Sequence, residues 1–383
     1  MMKHNRKIIY LAGFLFSIPI ALTSYINSSF LKEFMSAKEV SILYAIASLV
    51  TIVGMLEMPR ILNKLGNRVS TLLFSLLCFC SLLLLSFGQS TVVVTSTFIL
   101  FFVTSNFVFA TLDIFIEDFS KNTSVGTLRG LYLVVLNLAW VISQSISGSI
   151  IAKSSYQGLY ILGAVFTGIM SLIFVFSLRN FIDPKYKKIP ALHTFKLFMK
   201  NKKISKIYFI NLILKFFFVW MIVYTPLYLH EYIGFSWQTI GPIFTIMLLP
   251  FVILMYPLGK LSDKTGEKGM LIAGFLIITF FTMLIPFIKE PNFWIWAGIL
   301  FGTRAGAATI EVMSESYFFK VVKEEDADLI AFFRNTAPLS FIIAPLIAIP
   351  VLIFVPTFSY IFFVLGAVLL IGLYITLRIK DVK

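Results

Sequence analysis

The chain has 383 residues, 59% of them hydrophobic and only 13% charged, and its mean hydropathy is +0.94. A soluble domain carries about 25% charged residues. This composition excludes an ordinary soluble enzyme, a disordered chain and a disulfide scaffold, and leaves a polytopic membrane protein. For such a protein the net charge of +14 becomes a question of where the bases sit along the chain.

A spanning helix needs about 20 mostly apolar residues. Twelve such stretches follow one another: 8–31, 40–58, 69–88, 92–116, 128–152, 158–180, 206–229, 238–258, 269–288, 292–318, 328–353 and 357–378. Their apolar runs are continuous rather than alternating, so they read as helices and not as barrel strands. The first follows a basic start (Lys3, His4, Arg6, Lys7). Its apolar run exceeds the roughly 7–15 residues of a signal-peptide core, so it reads as a retained helix. Twelve spans put both termini on one side.

Lys and Arg then choose the side. The segments on the side of the termini hold 26 of the 32 bases, the opposite loops hold four (Lys32, Lys38, Lys153, Lys289), and Lys215 and Arg304 fall inside spans. This bias places both termini and the basic 181–205 segment in the cytoplasm of a plasma (inner) membrane. That segment reads as lying on the anionic leaflet rather than on nucleic acid. Cys78 and Cys80, two residues apart on one helix, point to different sides and read as packing residues, with no metal site or disulfide. The histidines His4, His193 and His230 fall in loops or tails and receive no role.

Internal repeats are visible. Residues 59–68 read P-R-I-L-N-K-L-G-N-R and 259–268 read G-K-L-S-D-K-T-G-E-K, each between two spans. Residues 110–117 (A-T-L-D-I-F-I-E) and 308–315 (A-T-I-E-V-M-S-E) match at an offset of 198, as do Asn137 and Asn335. The expected organisation is two six-helix bundles, 1–180 and 206–383, joined by a basic linker at 181–205.

On these residues the chain resembles the major facilitator superfamily. The signature between the second and third helices of that family, G-x-L-[small]-D-[K/R]-x-G-[K/R]-[K/R], is met by Gly259, Leu261, Ser262, Asp263, Lys264, Gly266 and Lys268, with Glu267 departing. The first copy keeps Lys64, Gly66 and Arg68, while Pro59 and Asn63 replace Gly and Asp, and Arg60 follows. Arg129-Gly130 matches the start of the family's fifth helix. The resemblance implies an all-α membrane protein of twelve transmembrane helices in two pseudo-symmetric bundles, acting as a secondary transporter. Helices 1, 4, 7 and 10 would line its cavity. The efflux-antiporter pattern of the fifth helix is met only by Gly130, Ala139, Ser143, Gln144, Ser147 and Gly148, which weakens a drug-pump label.

Buried charge carries the functional expectations. At 1.5 Å per residue Arg304 lies roughly 18 Å along the tenth span, and Lys215 roughly 14 Å along the seventh, both near mid-membrane. Charge at that depth is expensive and faces a cavity. Candidate cavity residues are Lys215, Arg304, Asn106, Asn27, Trp220 and Tyr224. Proton-coupling or inner-gate candidates are Asp113, Glu117, Glu311, Glu315 and Glu57, with Arg129, Arg60 or Lys264 as gate partners. Gly259, Asp263, Lys264, Gly266, Lys268, Arg60, Lys64, Gly66, Arg68 and Arg129 would form gating loops, with Asp263 accepting from a helix N-terminus or pairing with a base. The two central cations admit two readings: an anionic substrate group, or an internal pair with Glu311 or Asp113.

The expected function is alternating-access transport of a small organic solute, without cofactor or metal, by a monomer in the lipid bilayer, with protons as the candidate coupling ion. No G-x-x-x-x-G-K-[ST] occurs, so no self-contained ATP-driven pump is expected. A drug or metabolite efflux antiporter, a polytopic membrane enzyme, and a transporter-like sensor or lipid flippase are the alternatives.

Overall fold

The computed structural model describes residues 2–24, 26–118, 125–177, 183, 186, 201–322, 326–354 and 357–381. Regular structure among these residues is helical throughout. Hydrocarbon offers no partner to a backbone N–H or C=O, so a lone spanning segment must satisfy them within itself, and a helix does so. The helices are α1 (Met2–Ser24), α2 (Ala37–Leu65), α3 (Asn67–Phe87), α4 (Thr91–Asp118), α5 (Val125–Ser147), α6 (Ser154–Phe176), α7 (Lys202–Leu227), α8 (Thr239–Thr265), α9 (Lys268–Leu284), α10 (Phe293–Val321), α11 (Leu329–Ala348) and α12 (Ile361–Leu377).

Among the described residues eleven helices are long and apolar enough to cross a membrane. The twelfth is α10, which at 29 residues has the length but carries Arg304, Glu311, Glu315 and Lys320. The helical path between α5 and α6 is broken at Ser154 and at Ser155, the latter with φ 55°.

Several boundaries differ from those read off hydropathy. The first stretch is two helices, because α1 ends at Ser24 and a short helix, Asn27–Leu31, follows. The helix α2 starts at 37 rather than 40, because Ser36 and Glu39 form a reciprocal cap: Ser36 N–H donates to Glu39 Oε2 at 2.7 Å, and Glu39 N–H to Ser36 Oγ at 3.3 Å. Residues 59–65 and 259–265, expected as loop, are the last turns of α2 and α8. The apolar signal stops at the hydrocarbon boundary, but Lys, Arg and Leu continue a helix readily beyond it. The true turns are Gly66 (φ 79°) and Gly266 (φ 82°), a backbone region that favours glycine.

Packing separates the chain into two compact units. The first comprises Met1–Lys121, Leu138–Lys196 and Val322–Leu339. In it α4 packs against α1, α2 and α3, and the short helix Ala327–Arg334, whose residues from Leu329 on form the first part of the α11 span, packs against α2 and α4. One part of its core is Ile18, Leu22, Ala139 and Leu159, fully or nearly fully buried. The second comprises Asn122–Asn137, Leu197–Val321 and Ser340–Lys383. In it α10 packs against α7, α8 and α9, and α12 against α7 and α9. The fourth helix of each repeat therefore meets the first three of its own repeat. In α10 every residue from Gly306 to Phe319 is buried. Cys78 is buried and Cys80 exposed, as two residues two apart on a helix must diverge.

Candidate functional site: the charges of α10 and the α8–α9 turn

The offsets of seven from Arg304 to Glu311 and of four from Glu311 to Glu315 keep all three on one stripe of α10. The Nζ of Lys215, on α7, lies 2.7 Å from Oε1 of Glu311. Sequence spacing placed the acids about two turns from the cations. The four-carbon stem of Lys215 spans that offset, so one central cation is ion-paired. Arg304 is buried, with its guanidinium carbon 5.0 Å from the Phe217 ring centroid and 5.7 Å from that of Phe218. Lys215 Nζ lies 5.2 Å from the same Phe218 ring. Two cations thus lie near the Phe218 ring, whose π face attracts cations, and one of them is paired with Glu311.

Lower on the stripe, Glu315 meets Arg129 at the start of α5, 4.0 Å apart and both fully buried. The Arg129 guanidinium also stacks 3.2 Å from the Phe319 ring centroid. Removing one member of such a buried pair strands the other in a low-dielectric interior.

The α8–α9 turn is built around Asp263. Its carboxylate accepts from Gly126 N–H at 3.0 Å, Thr127 N–H at 2.8 Å and the Thr127 hydroxyl at 2.6 Å. An anion at the first turn of a helix satisfies amides that lack an intrahelical partner. The approach requires glycine. A Cβ on Gly259 would strike the Gly126 carbonyl oxygen, and one on Gly130 would lie 2.6 Å from the Met255 carbonyl oxygen. Lys320, from the end of α10, reaches Glu267 Oε1 at 2.6 Å, Asp263 Oδ1 at 3.5 Å and the Ser262 carbonyl at 3.4 Å. Glu267 is fully buried, and burial raises its carboxyl above the usual range, against the opposing pull of Lys320. Gly266 turns the chain, Lys268 N–H donates to Asp381 at 2.8 Å, and Lys264 is exposed.

In the first unit Asp113 pairs with Arg334. The expected partners were Arg129, Arg60 or Lys264. Arg334, near the start of the span read as 328–353, ends the short helix Ala327–Arg334, which packs against α4. Glu57 pairs with Arg60 on the surface, one turn away on α2. Asn106 donates to the Phe102 carbonyl of its own helix at 2.8 Å, Glu117 is buried, and Lys64 is exposed. Asn27 accepts from the Tyr160 hydroxyl at 2.8 Å. Asn63, in place of the signature acid, exchanges hydrogen bonds with the Tyr186 backbone. Arg68 donates to the carbonyls of Phe174, Val175 and Ser177, closing the end of α6.

Trp220 lies fully buried in the second unit between the rings of Phe216 (5.1 Å) and Tyr224 (5.2 Å). This is a packing position, and among the described residues its indole N–H has no acceptor. The basic segment 181–205 and His193 lie outside the described residues apart from Asp183, Tyr186 and 201–205, as do the side chains of Lys3, His4 and Gly148.

Sequence reasoning passed over Asp183, Asp381, Lys320 and Arg334, and noted Glu267 only as a departure from the signature. For the first two a signal was available, because 183 and 381 stand at the same offset of 198 as the acids of the fourth and tenth helices.

Twelve helices, a repeated packing pattern and buried charge on the fourth helix of the second repeat define a polytopic helical membrane protein of the transporter class. The sequence profile of the Major Facilitator Superfamily matches residues 9–310 and 226–383. The chain belongs to that superfamily. No curated protein matches it by sequence. Among solved structures it is similar to the crystal structure of the human organic anion transporter MFSD10 (TETRAN), with a TM-score of 0.78 and 11% identity, over 98% of this chain and 99% of that one. At this identity the likeness speaks for the fold.

Proposed function

We propose that this protein is a secondary transporter that moves a small organic solute bearing an anionic group, by alternating access. The observation that carries the reading is the pair of cations at Phe218, Lys215 and Arg304, with Glu311 on Lys215. Charge within a span is costly and marks a solute or ion pathway by default. A solute carboxylate or phosphate would compete with Glu311 for Lys215 and use the planar donors of Arg304. The fold relative is itself an organic anion transporter, which supports the same class by analogy. Binding of a panel of organic anions to purified protein tests this. A Lys215→Met, Arg304→Met variant should lose anion binding, and unchanged binding sinks the anion reading.

A second reading is favoured by the 2.7 Å Lys215–Glu311 contact. A solute that takes Lys215 from Glu311 would leave that carboxylate as the group through which transport couples to protons. In proteoliposomes, Glu311→Gln should then abolish dependence on a pH gradient while leaving exchange of solute intact. Full dependence in an Asp113→Asn, Glu311→Gln double variant would exclude both acids as the coupling site.

With these readings go a multi-pass placement in the plasma (inner) membrane with both termini cytoplasmic, two bundles at 1–180 and 206–383, and a monomeric state. Solute uptake into proteoliposomes separates this assignment from an efflux antiporter, a membrane enzyme, a sensor or a lipid flippase.

A further inference from the structure

Glu267 reverses the charge of the signature at its position, and it is the most enclosed acid of the α8–α9 turn. Its Oε1 takes the Lys320 ammonium at 2.6 Å and the Ser316 hydroxyl at 3.5 Å. Its Oε2 is buried with no hydrogen-bond partner among the described residues. The ionisable groups facing it are Lys320 and Tyr317 from α10, Asp263 from α8 and Asp381 from the segment after α12, with Lys268 beside it on α9.

The same Lys320 ammonium lies 3.5 Å from Asp263, within ion-pair reach but farther than its 2.6 Å contact with Glu267, while Asp263 holds the first amides of α5. Glu267 and Asp263 therefore share one cation, and Glu267 has the nearer hold on it. Asp263 in turn chooses between neutral amides and a full positive charge, and a hydrogen bond between two ions is the stronger kind.

We propose that Glu267 is a proton-responsive positioning residue that controls how firmly α5 is seated on the α8–α9 turn. Ionised, it draws Lys320 to itself and keeps it at the longer distance from Asp263, and Asp263 holds the amides of Gly126 and Thr127. When it takes a proton from solvent, an O–H bond forms on the carboxyl and the carboxylate's charge disappears. Lys320 keeps its own proton and moves to Asp263, which releases the α5 amides. The raised carboxyl of Glu267, a consequence of its burial, brings this step toward accessible pH. Acid on the side of the membrane that holds the α8–α9 turn thus loosens α5. The inference concerns hydrogen bonds within one compact unit and stands whatever the transported solute is.

The test is hydrogen–deuterium exchange of the full chain in lipid nanodiscs between about pH 5 and 8, each rate divided by its intrinsic chemical rate. In the native chain, protection of the Gly126 and Thr127 amides should fall about tenfold on acidification, as expected for loss of a hydrogen bond to a charged acceptor. In Glu267→Gln it should be low and flat across the range. In Lys320→Met it should be high and flat across the range. Flat protection in the native chain, or a native-like slope in Glu267→Gln, overturns the proposal. If Glu267→Gln does not fold, Lys320→Met decides: survival of the native slope without the lysine overturns it. A solute-binding failure at Lys215 would leave these exchange profiles untouched, so the two ideas fail separately.

Discussion

Asp183 and Asp381 do the same work at two places 198 residues apart. Asp183 Oδ1 accepts from Asn67 N–H at 2.6 Å, and Asp381 Oδ1 from Lys268 N–H at 2.8 Å. The Asn67 amide directly follows the positive-φ Gly66 and the Lys268 amide lies two residues after the positive-φ Gly266, and each opens a helix, α3 or α9. The carboxylate that follows one helix of a repeat thus caps the N-terminus of another, where partial positive charge accumulates. The repeat extends to individual hydrogen bonds, although the residues beside the two acids differ.

Asp381→Ala and Asp183→Ala should therefore lower stability by similar amounts, about 0.5–2 kcal/mol each, the value of a lost N-terminal cap. Gly66→Ala and Gly266→Ala should be worse. Each adds a Cβ 2.6 Å from the capping carboxylate and strains a left-handed backbone. Thermal unfolding of the four variants in one detergent checks both the equality and the ranking.

The seat of α5 predicts a contrast between glycines. Gly259→Ala would press a methyl group into the Gly126 carbonyl and should destabilise by about 1–3 kcal/mol through overpacking. Gly298→Ala, on α10 with nothing within 4 Å, should stay within about 0.5 kcal/mol of native. A native-like melting temperature for Gly259→Ala would deny the close approach.

The Lys215–Glu311 pair predicts strong non-additivity. Lys215→Met or Glu311→Gln alone leaves a charge in the interior and should destabilise by about 3–5 kcal/mol, whereas the double variant should recover much of that loss. Unfolding midpoints of the full cycle measure the coupling, and additive effects would show that the two groups do not interact.

Glu267 sets a sign for the pH dependence of stability. Its folded carboxyl sits above the ordinary carboxylate range, burial outweighing Lys320, so the folded state binds the extra proton. Stability from this group is complete below the ordinary range and is lost as pH rises through the raised value. The melting temperature of Glu267→Gln relative to the native chain should therefore rise across that window. A gap that narrows with pH would mean that Lys320 governs the group instead. Glu39 has the opposite sign. It is held below the usual range by the Ser36 backbone and hydroxyl, so its contribution is present above that range and fades as pH falls.

Much of this was legible in the residues. The turn glycines at 66 and 266, Asp263 as a candidate acceptor for a helix N-terminus, and the stripe joining Arg304, Glu311 and Glu315 all follow from spacing alone. Lys320 and Arg334 were not legible, because each looked like one more base near a helix end. Glu267 registered only as a departure from a pattern, and nothing local reveals that its side chain is fully enclosed. Nothing local reveals that Trp220 is fully buried between Phe216 and Tyr224.

The sequence by itself determined that this is a membrane protein, how many times its chain crosses, and that the chain repeats. Those properties depend on run length against bilayer thickness and on the order of residues, which need no third dimension. Only the tertiary structure decided which charge meets which. Lys215 finds Glu311, Arg129 finds Glu315, Arg334 finds Asp113 and Lys320 finds Glu267 because packed helices set the phase and offset at which side chains meet. That relation between two helices is written in neither one alone.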